Sequence, residues 1–282
     1  MSNAGEDPAL NLEAVFLEPP RPPSPEPTLA IYSRAAAQDS QLHTNDEHLV
    51  WSKIEIRLVG SHPLWGHYLW NAARSFASYL DAHPDLYQDK CVLELGAGGG
   101  LPGIVTVKNG AKLTVLTDYP DAPLLENLRH NVAHNVPAEL SQRVFVEGYI
   151  WGKPLELILN KQQTTSNDQG FDLIIMSDLI FNHSQHDALL TTAELALKPS
   201  TSTSTPQPSV LVFYSHHRPH LAHRDMEFFS KAQERGWACE KILTEQFPPM
   251  FPEDPGEEEV RATVHGWRLV RYSSIPVDRA RS

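Results

Sequence analysis

Short apolar runs alternate along the chain with longer stretches in which apolar residues return every three or four positions. The runs are 90–95, 112–117, 143–148, 171–177 and 209–215. Most are rich in Val, Ile or Leu with little polar alternation, the pattern of strands covered on both faces. The stretches 103–110, 121–135, 183–198 and 220–236 read as helices. The second of these opens on Asp121 and Pro123, a helix-start signature, and sets Leu124, Leu125, Leu128 and Val132 on one face. Two further strand candidates, 238–247 and 262–272, close the chain with only a loop between them. Strand–helix alternation predicts an α/β fold. Its sheet is mostly parallel with helices on both faces, and the closing strands suggest one antiparallel addition.

Three segments fall outside this rhythm. Residues 1–45 lack periodicity and carry the proline cluster 18–28, which predicts a disordered arm and leaves 46–282 as a single domain. The low-complexity stretch 200–209 reads as a loop. The Pro-rich, acidic stretch 247–259 reads as a long loop of the kind that often carries function.

The first predicted strand ends in Glu94-Leu-Gly96-Ala97-Gly98-Gly-Gly100. Glycines at a strand's C-terminal end let the backbone approach a ligand, and the next helix offers free amides. A dinucleotide fingerprint would need its third glycine at position 101, which is Leu101. An acidic residue two before the first of three alternating glycines instead resembles motif I of class I S-adenosylmethionine-dependent methyltransferases. The second strand ends at Asp118, placed to take hydrogen bonds from a ribose diol or to cap the next helix, a job for which Asp121 is better placed. The fourth ends Ser177-Asp178, with Asn182 close behind. A carboxylate there is costly to bury without a partner, which points to cleft groups, with helix capping as the alternative.

Composition narrows the picture. The formal charge of −12 disfavours general nucleic-acid binding, which draws on Lys and Arg, and suits a cationic partner or plain solubility. No apolar run reaches the roughly 18 residues of a membrane span. The N-terminus does not read as a signal peptide, and Cys91 and Cys239 make no disulfide framework, which together predict a cytoplasmic protein. His216, His217, His220 and His223 cluster after the fifth strand without cysteines; a cleft rim or ordinary surface is favoured there over a metal site.

Five segments taken in order, 59–73 with Trp65 and Trp70, the glycine turn, 117–121, 146–152 with Trp151, and 177–183, resemble the methyltransferase-like family 16 group of protein methyltransferases. Within it the likeness is to a fungal branch that modifies translation elongation factor 1-alpha. The resemblance covers about residues 45 to 272. It implies a Rossmann-like seven-stranded methyltransferase sheet with an antiparallel final strand, and S-adenosylmethionine as cofactor. It implies that Trp65, Glu94, Gly96, Ala97, Gly98, Asp118, Tyr119, Trp151 and Ser177 form the cofactor site, with Asp178 and Asn182 as catalytic candidates. The implied reaction is methylation, up to trimethyl, of an N-terminal glycine α-amine and of the adjacent lysine; a monomer is expected, and no metal. Tyr149 and Trp151 could also form a cation–π wall, though cofactor contact is favoured for Trp151. The segment 178–183 lacks the prolines of the Asp/Asn-Pro-Pro-aromatic motif of other amino methyltransferases, so that motif's substrate geometry does not carry over. Nicotinamide N-methylation and a non-catalytic cofactor-binding module are the alternatives.

Overall fold

The structure, a computed structural model, describes residues 25–34, 51–60, 62–63, 66–162, 169–200 and 206–271. Its main elements in chain order are β1 (Thr28–Ser33), β2 (Lys53–Leu58), α1 (Asn71–Ala82), β3 (Cys91–Leu95), α2 (Leu101–Lys108), β4 (Leu113–Asp118), α3 (Ala122–Asn135), β5 (Val144–Gly148), α4 (Glu156–Leu159), β6 (Leu173–Ser177), α5 (His186–Ala196), β7 (Ser209–Ser215), α6 (Ala222–Glu234), β8 (Trp237–Gln246), α7 (Glu258–Ala262) and β9 (Thr263–Arg271). Seven strands form one sheet in the order β5-β4-β3-β6-β7-β9-β8. Strands β3 to β7 pair in parallel, and β9 runs antiparallel to both β7 and β8. The final strand is thus the antiparallel one, as predicted, but it lies inside the sheet and leaves β8 at the edge.

Every residue of β3, β4 and β7 is buried, so these strands need cover on both faces. The pleat divides them: Val92 of β3 joins the core built with α1, α2 and α3, while Leu93 and Leu95 join the core built with α5 and α6. Helix α2 is buried along its whole length, consistent with its apolar sequence on all sides. The chain winds outward from β3 to β5 and then returns to β6 beside β3. That reversal opens a crevice beyond the C-terminal ends of β3 and β6, where open α/β sheets bind ligands.

The predicted disorder of residues 1–45 does not hold for Thr28–Ser33, which pairs antiparallel with β2. The pair gains its hold from α3. Asn135 and Asn131 each accept from and donate to the main chain of β2, at Glu55 and Arg57, and Asn127 donates to the Arg57 carbonyl. These side chains do for β2 what a neighbouring strand would do. Helix α1 has no predicted counterpart because its start lacks a side-chain cap and any acidic first-turn residue. Tertiary packing defines it instead: Phe76 stacks on Phe213 of β7 at 4.1 Å. The acidic stretch 247–259 is a loop except at its end, where Glu258 and Glu259 begin α7.

Candidate active site

Two strand ends furnish the first wall of the crevice. After β3 the chain turns through Gly96 and Gly98, at φ +57° and +55°. A Cβ at Gly96 would meet Leu179 at 2.6 Å and Trp151 at 3.1 Å, whereas one at Gly98 would enter open space. Gly96 is therefore needed for room and conformation, and Gly98 for conformation alone. The turn is fastened to β4: Ala97 N–H donates to the Thr117 carbonyl at 2.9 Å, and Gly98 N–H to Asp118 Oδ2 at 2.7 Å. The Tyr119 amide donates to the other carboxylate oxygen, also at 2.7 Å. Burial pushes the Asp118 carboxyl up, and these two amides oppose the rise. The cap of α3 falls to Asp121, which accepts from Leu124 N–H, so Asp118 is not used there.

Glu94 does not reach the crevice. It is wholly buried beneath the turn and accepts from Gly103 N–H at 2.9 Å, a contact that a side chain at position 103 would obstruct. Its other oxygen has no partner, and burial lifts the carboxyl from 4.5 to about 8. Glu94 therefore shapes the turn from below and holds a proton at neutral pH. Trp65 lies outside the described residues.

The second wall is made of side chains. Asp178, directly after β6, sits at φ +57°, a left-handed conformation uncommon outside glycine but accessible to Asp. Its own N–H donates to the Phe213 carbonyl at 2.7 Å, and its Oδ2 lies 2.8 Å from His217 Nε2. A carboxylate can only accept, so the ring nitrogen is the donor. Burial alone would lower the His217 pKa, but the Asp178 charge and hydrogen bond raise it above its ordinary value. His216 and His183 grip the two oxygens of buried Asp225, each at 2.7 Å. Those histidines tie the post-β7 and post-β6 segments to α6, and among the described residues no cluster is arranged to hold a metal ion.

The two walls enclose a cleft of about 590 Å³. Gly96, Ala97, Gly98, Asp118, Tyr119, Trp151, Ser177, Asp178 and Asn182 all line it; Glu94 does not. Tyr68, Trp70 and Arg218 line it as well, and sequence reasoning assigned none of them to the site. Trp70 was legible only as one of two tryptophans before the first core strand, and Arg218 only as a neighbour of the histidine cluster. Tyr149 also borders the cleft; it is buried, and its hydroxyl donates to the Lys153 carbonyl. The donor set suits S-adenosylmethionine: a carboxylate for a ribose diol, left-handed glycines leaving room for backbone approach, an indole beside them, and Arg218 for a carboxylate.

Fold and cleft together define a class I methyltransferase, and comparison with known proteins narrows it. The family model for "Lysine methyltransferase" matches residues 53–235, and the chain belongs to this family of S-adenosylmethionine-dependent enzymes. A protein N-terminal and lysine N-methyltransferase, EFM7, of Cryptococcus neoformans is 44% identical over 96% of this chain and 91% of its own length. One of the same name from Schizosaccharomyces pombe is 43% identical over 93% and 95%. Among solved structures, a candidate RNA methyltransferase from Pyrococcus horikoshii superposes with a TM-score of 0.50 at 18% identity, over 76% of this chain and 90% of its own; this is a likeness of fold.

Proposed function

We propose that this chain methylates the N-terminal glycine α-amine of translation elongation factor 1-alpha, up to trimethyl, and the adjacent lysine, acting as a monomer in the cytoplasm. The near full-length identity to relatives named for N-terminal and lysine methylation supports the chemistry. The observation that carries the site assignment is the pair of polar groups, Asp178 and Asn182, which line the cleft from the segment after β6 beside the glycine turn after β3.

S-adenosylmethionine supplies a methyl group on a sulfonium cation. Asp118 would accept from its ribose, the glycine turn would contact it through the main chain, Trp151 would flank it, and Arg218 would meet its carboxylate. Asp178 and Asn182 accept the N–H groups of the incoming amine and aim its lone pair into the cleft. A carboxylate beside an ammonium raises the amine's pKa, so Asp178 positions the amine rather than removing its proton. An α-amine, with a reference pKa of about 7.7–8.0, loses that proton to water far more easily than a lysine at about 10.4. By donating to Asp178 Oδ2, His217 keeps the carboxylate oriented. Exposed Glu253, Asp254 and Glu257 on the β8–β9 loop would draw in a basic N-terminal segment.

The test is incubation with labelled S-adenosylmethionine and elongation factor 1-alpha bearing a free N-terminal glycine, with nicotinamide in a parallel reaction, read by mass spectrometry. One to three methyls on the α-amine are expected. Transfer to nicotinamide alone, or to neither, would overturn the reading.

A further inference from the structure

The cleft has an aromatic side that amine positioning leaves unused. Tyr68 and Trp70 both line it, half-buried, with rings 5.4 Å apart at 60°. Phe251, on the β8–β9 loop, meets both rings edge to face, at 5.1 Å and 87° for Tyr68 and 6.0 Å and 70° for Trp70. His217 meets Trp70 at 4.6 Å and also touches Asp178, so the indole stands one side chain from the carboxylate. The loop is anchored where it matters. Arg261, buried, donates to the Phe251 carbonyl at 2.6 Å, and Asn71 at the start of α1 donates to the Pro248 carbonyl at 2.8 Å.

We propose that Tyr68 and Trp70, braced by Phe251, form a cation–π wall that holds the partly methylated ammonium between successive transfers. The proposal rests on the α-amine reading above. In each transfer the amine lone pair forms an N–C bond while the S–C bonding pair returns to the cofactor's sulfur. The new ammonium then releases one proton to water before the next transfer. A primary ammonium offers three N–H donors and a trimethylated one offers none, so Asp178 and Asn182 lose their hold as methyls accumulate. Aromatic faces attract the cation whether or not it carries N–H groups. The wall therefore matters least for the first methyl and most for the last. Phe251 acts through its neighbours and is a positioning residue.

The experiment compares Trp70→Leu, Phe251→Leu and the conservative Trp70→Phe and Phe251→Tyr in the full chain. Mono-, di- and trimethyl products are counted by mass spectrometry with time. The leucine variants should lower the ratio of third- to first-methyl rates, by about tenfold for Trp70→Leu, as loss of a desolvated cation–π contact predicts. The aromatic variants should restore most of that ratio. In parallel, tetramethylammonium is titrated calorimetrically into each protein, and its affinity should fall in the leucine variants only. Product proportions and tetramethylammonium affinity unchanged by Trp70→Leu would overturn the wall. A wild-type protein that binds tetramethylammonium through Trp70 but methylates no peptide would support the wall and overturn only the substrate.

Discussion

On the β3–β4 side of the cleft, Asp118 meets two main-chain amides, the farther of them only 20 residues away in sequence. On the β6–β7 side, Asp178 meets a histidine 39 residues away, which leans on Trp70 from before the first core strand. One wall is backbone and the other is side chain. A backbone wall offers amides that most substitutions leave in place, which suits a ligand shared by a whole enzyme class. A side-chain wall changes with each residue and so can be fitted to one amine, even where Arg218 on the same side is left to the cofactor. The acidic partners differ accordingly. Asp118 is in a relaxed conformation under two amides, whereas Asp178 is held in a left-handed one by a main-chain bond to Phe213 and by His217.

The sharpest way to break this comparison is Asp178→Asn. Asparagine tolerates the left-handed backbone but cannot hold an ammonium by charge. We expect turnover to fall about 100-fold, the scale of lost positioning, while cofactor affinity, read by calorimetry, stays within about twofold. A loss confined to cofactor affinity would reassign Asp178 to the other wall. Asp118→Asn is the mirror experiment. It should weaken cofactor binding by about 10- to 100-fold, the scale of one charged hydrogen bond, and change turnover at saturating cofactor much less.

Asn131→Ala probes whether the backbone wall depends on α3. Asn131 serves the main chain of Arg57 and donates to the Gly99 carbonyl at 3.1 Å, so its loss leaves β2 and the glycine turn each short of a partner. Folding stability should drop by about 1–3 kcal/mol in urea denaturation. The smallest effect is expected from Glu94→Gln and concerns pH. Because burial raises Glu94 from 4.5 to about 8, the native state binds more protons than the unfolded chain across that window. The wild-type protein thus loses stability from this group as pH rises from 4.5 through about 8. Glutamine mimics the protonated form, so the variant's melting temperature should decline less between those limits than that of the wild type.

Much of the fold was legible in order along the chain. The five apolar runs became the parallel strands, the closing pair became β8 and β9, and Asp121 with Pro123 marked the start of α3. The glycine turn and Asp118 were equally legible, because a bend that exposes backbone to a ligand must be written into adjacent residues. Glu94 was misplaced for the same reason: its neighbours in sequence are cleft residues, but the pleat turns its side chain under α2. Helix α1 and the pairing of β2 with three asparagines had no local signal, since each is stabilised mainly by contacts distant in sequence.

The sequence by itself thus determined the α/β alternation, the place of the glycine turn and the candidates at the strand ends, since hydrophobic period and backbone conformation are local properties. Only the tertiary structure decided that β9 enters between β7 and β8, that His217 holds Asp178, and that Tyr68, Trp70 and Phe251 gather on one side of the cleft. Those arrangements join residues as far apart as Asn71 and Pro248, and no local preference of either segment encodes which partner it will meet.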